Sequence, residues 1–202
     1  MKLYGHPYSN AARRVHILCE ELGIHYIYET IDLQNGKQYT PEFLKLNPNS
    51  KVPAIDDDGF VLWESQAIMR YLADKHQAHT WYPTDPKARA YVEGWLDWNQ
   101  TRLGPEAAKI MFNTHFAGDK RNDQTIEDSK ELLAKIFPVM DGVLAKRKYL
   151  CGDQPMLPDL AAATNLAYLE MCQYDLSPYP AVIKWYGVMK DRPSFAKTAP
   201  KA

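Results

Sequence analysis

The chain has 202 residues, enough for one large or two small domains, and its 24 basic and 25 acidic side chains leave a formal net charge of −1. This balance provides no electrostatic basis for binding nucleic acid or an anionic membrane. No apolar run approaches the roughly 20 residues that a membrane-spanning helix needs, and Met1 leads into strand-like sequence without a signal peptide. Three scattered cysteines imply no disulfide framework. We expect a cytoplasmic protein.

Residues 1–76 alternate strand-like and helix-like segments in the order β-α-β-α-β-β-α. A short strand at 2–4 precedes an amphipathic helix that can be capped by Ser9 or Asn10 and that ends at Gly23. Residues 26–33 are rich in β-branched and aromatic side chains and form a second strand. Because a helix separates the two strands, we expect them to be parallel.

Residues 40–72 complete this first region. Thr40 and Pro41 provide the N-cap and first-turn proline of a short helix. Two apolar runs, 52–55 and 60–63, flank an Asp-Asp-Gly sequence that is typical of a hairpin turn. A helix with apolar residues at helical spacing follows, and Ser65 is a favoured N-cap type at its start.

The start of that last helix is suited to binding an amino acid or peptide. A helix N-terminus offers N–H donors and a positive dipole end to a carboxylate. Glu64, directly before it, can accept a hydrogen bond from an ammonium group. Upstream, the Val52–Pro53 bond is of the kind in which a cis peptide costs little. We predict that it is cis, which would turn the Val52 backbone N–H and C=O toward a bound peptide.

The second half of the chain is helical in pattern. Residues 77–84 lack periodicity and are predicted to be a linker, after which Asp85 and Pro86 open a long helical region. Gly104-Pro105 is expected to kink or break that region. Thr125 resembles the start of a capping box for a further helix, which Pro138 is expected to bend.

Two more helices complete the pattern. Residues 160–174 are apolar on nearly every side, which indicates the buried central helix of a helical domain, and residues 180–190 form one more helix. We therefore predict an α/β domain at 1–76, a linker at 77–84 and an all-α domain at 85–202.

Two motifs carry a resemblance to a known family. The sequence VPAI, a turn and ESQAIMRYL, together with GHPYSNAARRV near the start, resembles the cytosolic glutathione S-transferases of the serine-type phi, theta and delta classes. The resemblance covers the whole chain in layout and is most specific in residues 1–76. It implies a thioredoxin-like N-terminal domain, an all-helical C-terminal domain, glutathione as co-substrate without a metal, and a homodimer with a role in detoxification.

The resemblance implies that Ser9 is the catalytic residue. A hydroxyl that donates a hydrogen bond to the glutathione sulfur, at a helix N-terminus, favours the reactive thiolate. On spacing alone Ser9 is only an N-cap, and the two roles can coexist. Tyr8 and Tyr4 carry rival hydroxyls. Asn10 falls where beta-class enzymes have cysteine, and no cysteine lies in residues 4–14, which argues against cysteine-based thiol transfer.

The same resemblance implies the other glutathione contacts. Glu64 and Ser65 correspond to the residues that bind the γ-glutamyl end. Val52, before Pro53, corresponds to the backbone contact with the cysteinyl unit. Lys51 corresponds to a contact with the glycyl carboxylate, which suits its long cationic side chain.

Three positions depart from the family pattern. Gln38 stands where phi-like relatives often have a histidine for the glycyl carboxylate. The resemblance implies that the uncharged Gln38 amide donates a hydrogen bond there, and Lys37 is the alternative. Gln66 stands where many relatives have arginine. Residues 156–159, Met-Leu-Pro-Asp, keep the aspartate of a helix-opening capping box but lack its hydroxyl residue, a loss that typically costs about 1 kcal/mol of stability.

The resemblance places the site for the hydrophobic electrophile between the Tyr8 loop and the first long helix of the second domain. The candidates are Tyr8 and five residues of the second domain: Asn99, Arg102, Met111, Phe112 and His115. The histidines show no metal-ligand spacing. The resemblance favours a transferase that conjugates glutathione to electrophiles. Two alternatives remain: a glutathione-dependent peroxidase or dehalogenase, and a non-catalytic protein-interaction module with the same fold.

Overall fold

The computed structural model describes residues 1–200, which divide into two compact units. The first unit contains Met1–Tyr82 and the chain from Arg192 onward, and the second unit is Pro83–Asp191. The boundary after Tyr82 falls inside the predicted linker at 77–84. No helix in the described part of the chain is long and apolar enough to cross a membrane.

The first unit is built on a four-stranded sheet whose strands lie in the order β2-β1-β3-β4. The strands are β1 Lys2–Gly5, β2 Ile27–Thr30, β3 Ala54–Asp57 and β4 Phe60–Trp63. As predicted, β1 and β2 are parallel; β3 is antiparallel to both β1 and β4. The C-terminal ends of β1, β2 and β4 therefore meet the N-terminal end of β3 at one edge of the sheet.

Three helices of this unit follow the predicted signals. Helix α1 is Asn10–Glu21, α2 is Pro41–Leu46 and α3 is Ser65–Lys75. The Ser9 side chain caps α1, and Gly23 follows its end with a φ of 62°, which glycine adopts readily. Apolar side chains of α1, α3 and the sheet are fully buried and form the core of the unit: Leu3, Val15, Ile17, Leu18, Ile55, Ile68, Met69 and Leu72.

The second unit is helical. Its helices are α4 Pro86–Trp98, α5 Gly104–His115, α6 Asp123–Leu144, α7 Leu157–Met171 and α8 Pro180–Lys190. Helix α7 is buried along nearly its whole length, which confirms the central helix that its apolar sequence predicts.

The break predicted at Gly104-Pro105 takes the form of a π-helical segment, Asn99–Leu103, that joins α4 to α5. A Cβ atom at Gly104 would lie 2.9 Å from the carbonyl oxygen of Asn99, so the backbone packing here requires glycine. Pro138, in contrast, lies within α6 without interrupting it.

Two predicted caps are wrong. Ser65 is the first helical residue of α3, and the N-cap is Glu64, which has a φ of 70° and makes no side-chain cap hydrogen bond. At α6 the cap is Asn122, whose Oδ1 accepts a hydrogen bond from the Thr125 N–H at 3.0 Å. Thr125 therefore lies inside the first turn, because the asparagine three residues earlier already satisfies its N–H.

The end of the chain packs on the first unit. Helix α9, Pro193–Lys197, lies against α1. Arg192 binds Glu21 through two hydrogen bonds of 2.7 and 2.5 Å, and Arg13 donates to the Phe195 carbonyl at 2.8 Å. We call residues 192–198 the C-terminal strap. We expected the helical domain to span 85–202. The strap instead belongs to the first unit, because its polar partners lie on α1. Residues 201 and 202 lie outside the described residues.

Candidate active site

The predicted glutathione contacts all flank the same edge of the sheet. Residues 6–9 follow β1, residues 31–38 follow β2, residues 51–53 precede β3, and residues 64–65 follow β4. The chain order of the contacts is scattered, but the strand order brings these four segments to one side. The edge is therefore the candidate site of the first unit.

Ser9 stands at the positive end of α1, a helix of 12 residues. Its Oγ accepts a hydrogen bond from the Ala12 N–H at 3.2 Å, and its own N–H donates to the His6 carbonyl at 2.9 Å. Because the hydroxyl oxygen serves as the acceptor of the cap, its hydrogen remains available for donation to another atom. The N-cap role is observed and is compatible with hydrogen bonding to a bound sulfur.

Close packing behind Ser9 fixes the turn that carries it. A Cβ atom at Gly5 would lie 2.5 Å from the Tyr28 hydroxyl oxygen and 3.0 Å from the Ala12 Cβ, so a larger residue does not fit at the end of β1. Burial raises the pKa of Tyr28 to about 12, which keeps its hydroxyl neutral. Burial also lowers the pKa of His6, against a smaller opposing effect of Asp32.

The rivals of Ser9 have different surroundings. The Tyr4 ring is half-buried and packs edge-to-face on Phe43, with the ring centroids 6.5 Å apart. Tyr8 is 39% exposed, and its ring centroid lies 5.9 Å from that of His6. Asn10 is the first residue of α1. The Ser9 hydroxyl oxygen is held at the N-terminus of α1 by a hydrogen bond from the helix backbone.

The loop before β3 is held by a residue that the sequence analysis missed. The Asn47 side chain is 3% exposed; its Nδ2 donates to the Lys51 carbonyl at 2.6 Å, and its Oδ1 accepts from the Asn49 N–H at 3.0 Å. Val52–Pro53 is cis, as predicted. The signal for this brace was the Asn-Pro-Asn-Ser sequence, since asparagine side chains commonly bind backbone groups two residues further on.

Glu64 and Ser65 lie beside that loop. Ala54 of β3 pairs with Trp63 of β4, so the next residues outward, Pro53 and Glu64, are neighbours across the edge of the sheet. The Glu64 side chain is exposed, whereas Ser65 is 6% exposed and begins α3, whose first N–H groups have no acceptor within the helix. A carboxylate and helix N–H donors therefore lie side by side, which suits an amino-acid head group.

Gln38 presents a different group from the one we expected. Its Nε2 donates to the Leu33 carbonyl at 3.4 Å, and its Oε1 is buried without a hydrogen-bond partner in the described residues 1–200. An unpaired carbonyl oxygen suits a donor and not a carboxylate. Lys37 and Lys51 are both exposed and cationic, so they can reach an anion at this edge, while Gln66 is buried in α3.

The electrophile-site candidates of the second unit differ in exposure. Arg102, Phe112 and His115 are exposed, and the His115 Nε2 lies 3.3 Å from the Met171 carbonyl oxygen. Asn99 is buried and accepts a hydrogen bond from Asn165 at 2.7 Å, and Met111 is also buried. The three exposed side chains are accessible to a ligand, whereas the two buried ones would have to move.

The three cysteines do not provide a thiolate. Burial raises the pKa of Cys19 and of Cys151 to about 12, and it also raises the pKa of Cys172. These thiols are therefore protonated at neutral pH and poor nucleophiles. Within residues 1–200, no group of three or more His, Cys, Asp or Glu side chains is placed to hold a metal ion.

Comparison with known proteins identifies the family. Residues 1–74 match the model of the glutathione S-transferase N-terminal domain, and residues 103–193 match the model of the C-terminal domain. A rice (Oryza sativa subsp. japonica) protein named probable glutathione S-transferase GSTF2 is 32% identical over 98% of this chain and 95% of its own length. The chain belongs to the glutathione S-transferase family.

Solved structures of the family share the whole fold. A crystal structure of a serine-to-cysteine mutant of poplar glutathione transferase F1 is 28% identical and superposes with a TM-score of 0.92, covering 98% of this chain and 95% of that one. A delta-class glutathione transferase from Nilaparvata lugens is 36% identical, with a TM-score of 0.89 over 98% and 92% of the two chains. The thioredoxin-like domain followed by a helical domain is thus confirmed for this glutathione S-transferase.

Proposed function

We propose that this chain is a glutathione transferase that activates the glutathione thiol as a thiolate and transfers the sulfur to a hydrophobic electrophile. The observation that carries the proposal is the position of the Ser9 hydroxyl. It caps α1 at the edge of the sheet where the other glutathione candidates also lie.

In this proposal the tripeptide binds along the edge of the sheet. Glu64 accepts hydrogen bonds from the γ-glutamyl ammonium group, and Ser65 with the first N–H groups of α3 binds the adjacent carboxylate. The Val52 backbone pairs with the cysteinyl unit, and Lys51 binds the glycyl carboxylate. Gln38 is uncharged and its amide nitrogen already donates to the Leu33 carbonyl, so the positive charge at the glycyl end comes from Lys51.

Chemistry then requires ionisation of the cysteinyl sulfur. The Ser9 hydroxyl donates a hydrogen bond to the thiolate, and the N-terminus of α1 adds a favourable dipole. Each unit by which these effects lower the thiol pKa corresponds to about 1.4 kcal/mol, so a lowering by about two units brings a thiol pKa near 8.5 close to neutral pH. The thiol proton leaves to solvent, and the sulfur lone pair forms the new C–S bond. The leaving group departs with its electron pair, or an activated double bond accepts the pair and is then protonated.

Ser9→Ala tests the proposal. We expect the pKa of bound glutathione, followed by the ultraviolet absorbance of the thiolate, to rise by one to two units, and kcat for a chlorinated dinitrobenzene to fall about 10- to 100-fold. The KM for glutathione should change little, because the tripeptide is held by other groups. The substitution also removes the α1 cap, which costs about 1 kcal/mol of folding stability, so urea unfolding is measured in parallel.

Two further variants give this test its controls. Ser9→Thr keeps both the cap and the hydroxyl, so it should restore much of the thiolate signal. Tyr8→Phe removes the rival hydroxyl and should leave the thiol pKa unchanged. If Tyr8→Phe lost the thiolate signal and Ser9→Ala kept it, Tyr8 and not Ser9 would be the residue that stabilises the thiolate.

The proposal also includes an oligomeric state and a cellular location. Because the family pattern pairs two chains, we propose a homodimer, which light scattering of the purified protein tests. A cytoplasmic role in detoxification fits the conjugation of electrophiles. Fractionation of cells that express the protein tests its location.

A further inference from the structure

The C-terminal strap contacts α1 near both ends of the helix. At the C-terminal end of α1, the strap binds the carboxylates of Glu20 and Glu21. Near the N-terminal end it binds Arg13, which stands four residues after Ser9. Because residues four apart in a helix are neighbours on its surface, this second contact lies one turn from the proposed catalytic hydroxyl.

The guanidinium group of Arg13 interacts with three groups of the strap. Its Nη2 donates to the Phe195 carbonyl at 2.8 Å, its Nε lies 3.5 Å from the Thr198 hydroxyl oxygen, and its Cζ lies 4.1 Å from the centre of the Phe195 ring. Phe195 is 6% exposed and Thr198 is 5% exposed, so packing holds both partners in place. A guanidinium that both donates to a carbonyl and stacks on an aromatic ring is held in one orientation.

The backbone of Arg13 belongs to the turn that carries the Ser9 hydroxyl. The Arg13 N–H donates to the Ser9 carbonyl at 2.8 Å, and the Ala12 N–H donates to Ser9 Oγ at 3.2 Å. The first turn of a helix has few backbone hydrogen bonds of its own and opens readily unless other groups hold it. The contact between Arg13 and the strap therefore opposes fraying of this turn.

We propose that Arg13 is a positioning residue for catalysis, which attaches the first turn of α1 to the C-terminal strap and so aims the Ser9 hydroxyl at the sulfur of bound glutathione. This inference rests on the proposed function, in which Ser9 donates a hydrogen bond to the thiolate. A hydrogen bond weakens steeply as its geometry departs from linear, so a small movement of the first turn reduces the preference for the thiolate. Arg13 acts through Ser9 and does not need to touch the substrate.

The first test compares Arg13→Met with the wild type by ultraviolet titration of the bound thiolate. We expect the pKa of bound glutathione to rise by about 0.5 to 1 unit and kcat for a chlorinated dinitrobenzene to fall about three- to tenfold. The KM for glutathione should change little, because other segments hold the tripeptide. An unchanged thiol pKa in Arg13→Met would overturn the inference.

Phe195→Leu separates the loss of the contact from the loss of the charge. It keeps an apolar side chain at a buried position and leaves the Arg13 charge in place, but it removes the ring on which the guanidinium stacks. We expect a smaller rise of the thiol pKa in the same direction. The double variant should not exceed Arg13→Met, because both substitutions break the same attachment. Additive rises, or no rise in Phe195→Leu, would show that the Arg13 charge acts directly on the sulfur, against the inference.

Lys197→Met is the charge-matched control. Lys197 also joins the strap to α1, but it binds Glu20, which lies at the opposite end of the helix from Ser9. This variant should keep the wild-type thiol pKa and kcat. A rise equal to that of Arg13→Met would show that any loosening of the strap has this effect, and the assignment to Arg13 would be wrong.

Amide hydrogen exchange measures the position of the turn without the reaction. In Arg13→Met and in Phe195→Leu, the backbone amides of residues 12 and 13 should exchange about threefold faster or more, because the first turn opens more often. In Lys197→Met they should exchange at the wild-type rate. Unchanged exchange in the first two variants would show that the turn does not depend on the strap, which would overturn the inference.

Ser9→Ala distinguishes a failure of this inference from a failure of the proposed function. If Ser9→Ala leaves the thiol pKa unchanged, the proposed function is wrong and the role of Arg13 is wrong with it. If Ser9→Ala raises the thiol pKa and Arg13→Met does not, the role of Arg13 alone is wrong. When Arg13→Met is added to Ser9→Ala, the further rise should be less than about half of that in the wild type, since no hydroxyl is left to position. An undiminished rise would contradict a role that acts through Ser9.

Discussion

At the residue scale, Asp159 shows how one buried carboxylate organises the second unit. It is fully buried near the start of α7, where Oδ1 accepts from the Leu150 N–H at 3.0 Å and the Trp185 Nε1 at 2.9 Å, and Oδ2 accepts from the Met156 N–H at 2.9 Å. Of the two reciprocal hydrogen bonds of a capping box, the one from the Met156 N–H to the Asp159 carboxylate is therefore present, although the hydroxyl residue that would make the other is missing. Burial nonetheless outweighs these three bonds and raises the pKa of Asp159 to about 6.

The raised pKa predicts a pH dependence of stability with a definite sign. Between about pH 4 and pH 6 the folded protein retains a proton at Asp159 that the unfolded chain has released, so this group makes the free energy of unfolding fall as pH rises through that window. The contribution is on the order of 3 kcal/mol for a shift of about two units. Urea unfolding at several pH values measures it.

Asp159→Asn should remove this pH dependence, and the exposed Asp153→Asn should not. The comparison with wild type at each pH is essential, because Glu21 and Asp57, whose pKa values are lowered despite their burial, contribute with the opposite sign. Their stabilisation is lost as pH falls. A difference between wild type and Asp159→Asn that stays constant across the window would contradict the prediction.

At the scale of elements, the C-terminal strap is held to α1 by interactions of unequal burial. The carboxylate of Glu21 is mostly buried and accepts hydrogen bonds from Nε and Nη2 of Arg192 and from the Ser194 hydroxyl. Arg192→Met would leave this carboxylate with one partner, so we expect a loss of about 2 kcal/mol of unfolding free energy. Urea unfolding and a double-mutant cycle with Glu21→Gln measure the coupling.

Lys197→Met is the matched control, because the Lys197–Glu20 pair joins the same two helices with an exposed ammonium group. Screening by water limits that pair to about 0.5 kcal/mol. Equal losses of unfolding free energy in the two variants would show that burial does not determine how much each interaction stabilises the contact between the strap and α1.

The elements also show where sequence reasoning succeeds and where it stops. The bounds of α8 and the caps at Ser9, Thr40 and Asp85 follow from local signals, since a cap and its helix lie within a few residues of each other. The strap could not be predicted because its partners lie about 170 residues away in the chain. The same holds for the Arg147–Tyr91 pair, which joins α4 to the loop after α6.

For the candidate site, the element order and the family resemblance predicted a thioredoxin-like domain, and the strand order of that domain places the four loops at one edge. The roles of the individual residues stay predictions. What the sequence could not provide is the direction of individual polar groups. The Gln38 amide uses its nitrogen on Leu33, and Glu64 replaces Ser65 as the N-cap of α3. Such details depend on backbone angles and on neighbours that no local pattern specifies.

At the scale of the whole molecule, binding of glutathione should protect the first unit and leave the second unit unchanged. Binding of a ligand to the folded state slows exchange of the amides whose opening would release it. Saturating glutathione should therefore slow amide hydrogen exchange at the sheet edge, in residues 9–13, 50–54 and 64–68. The amides of α8 should not change. Mass spectrometry of peptic fragments measures the exchange in both regions. Protection by glutathione in α8 and not at the sheet edge would contradict the assignment of the tripeptide site, because the edge is where Ser9, Val52 and Glu64 stand beside the N-termini of two helices.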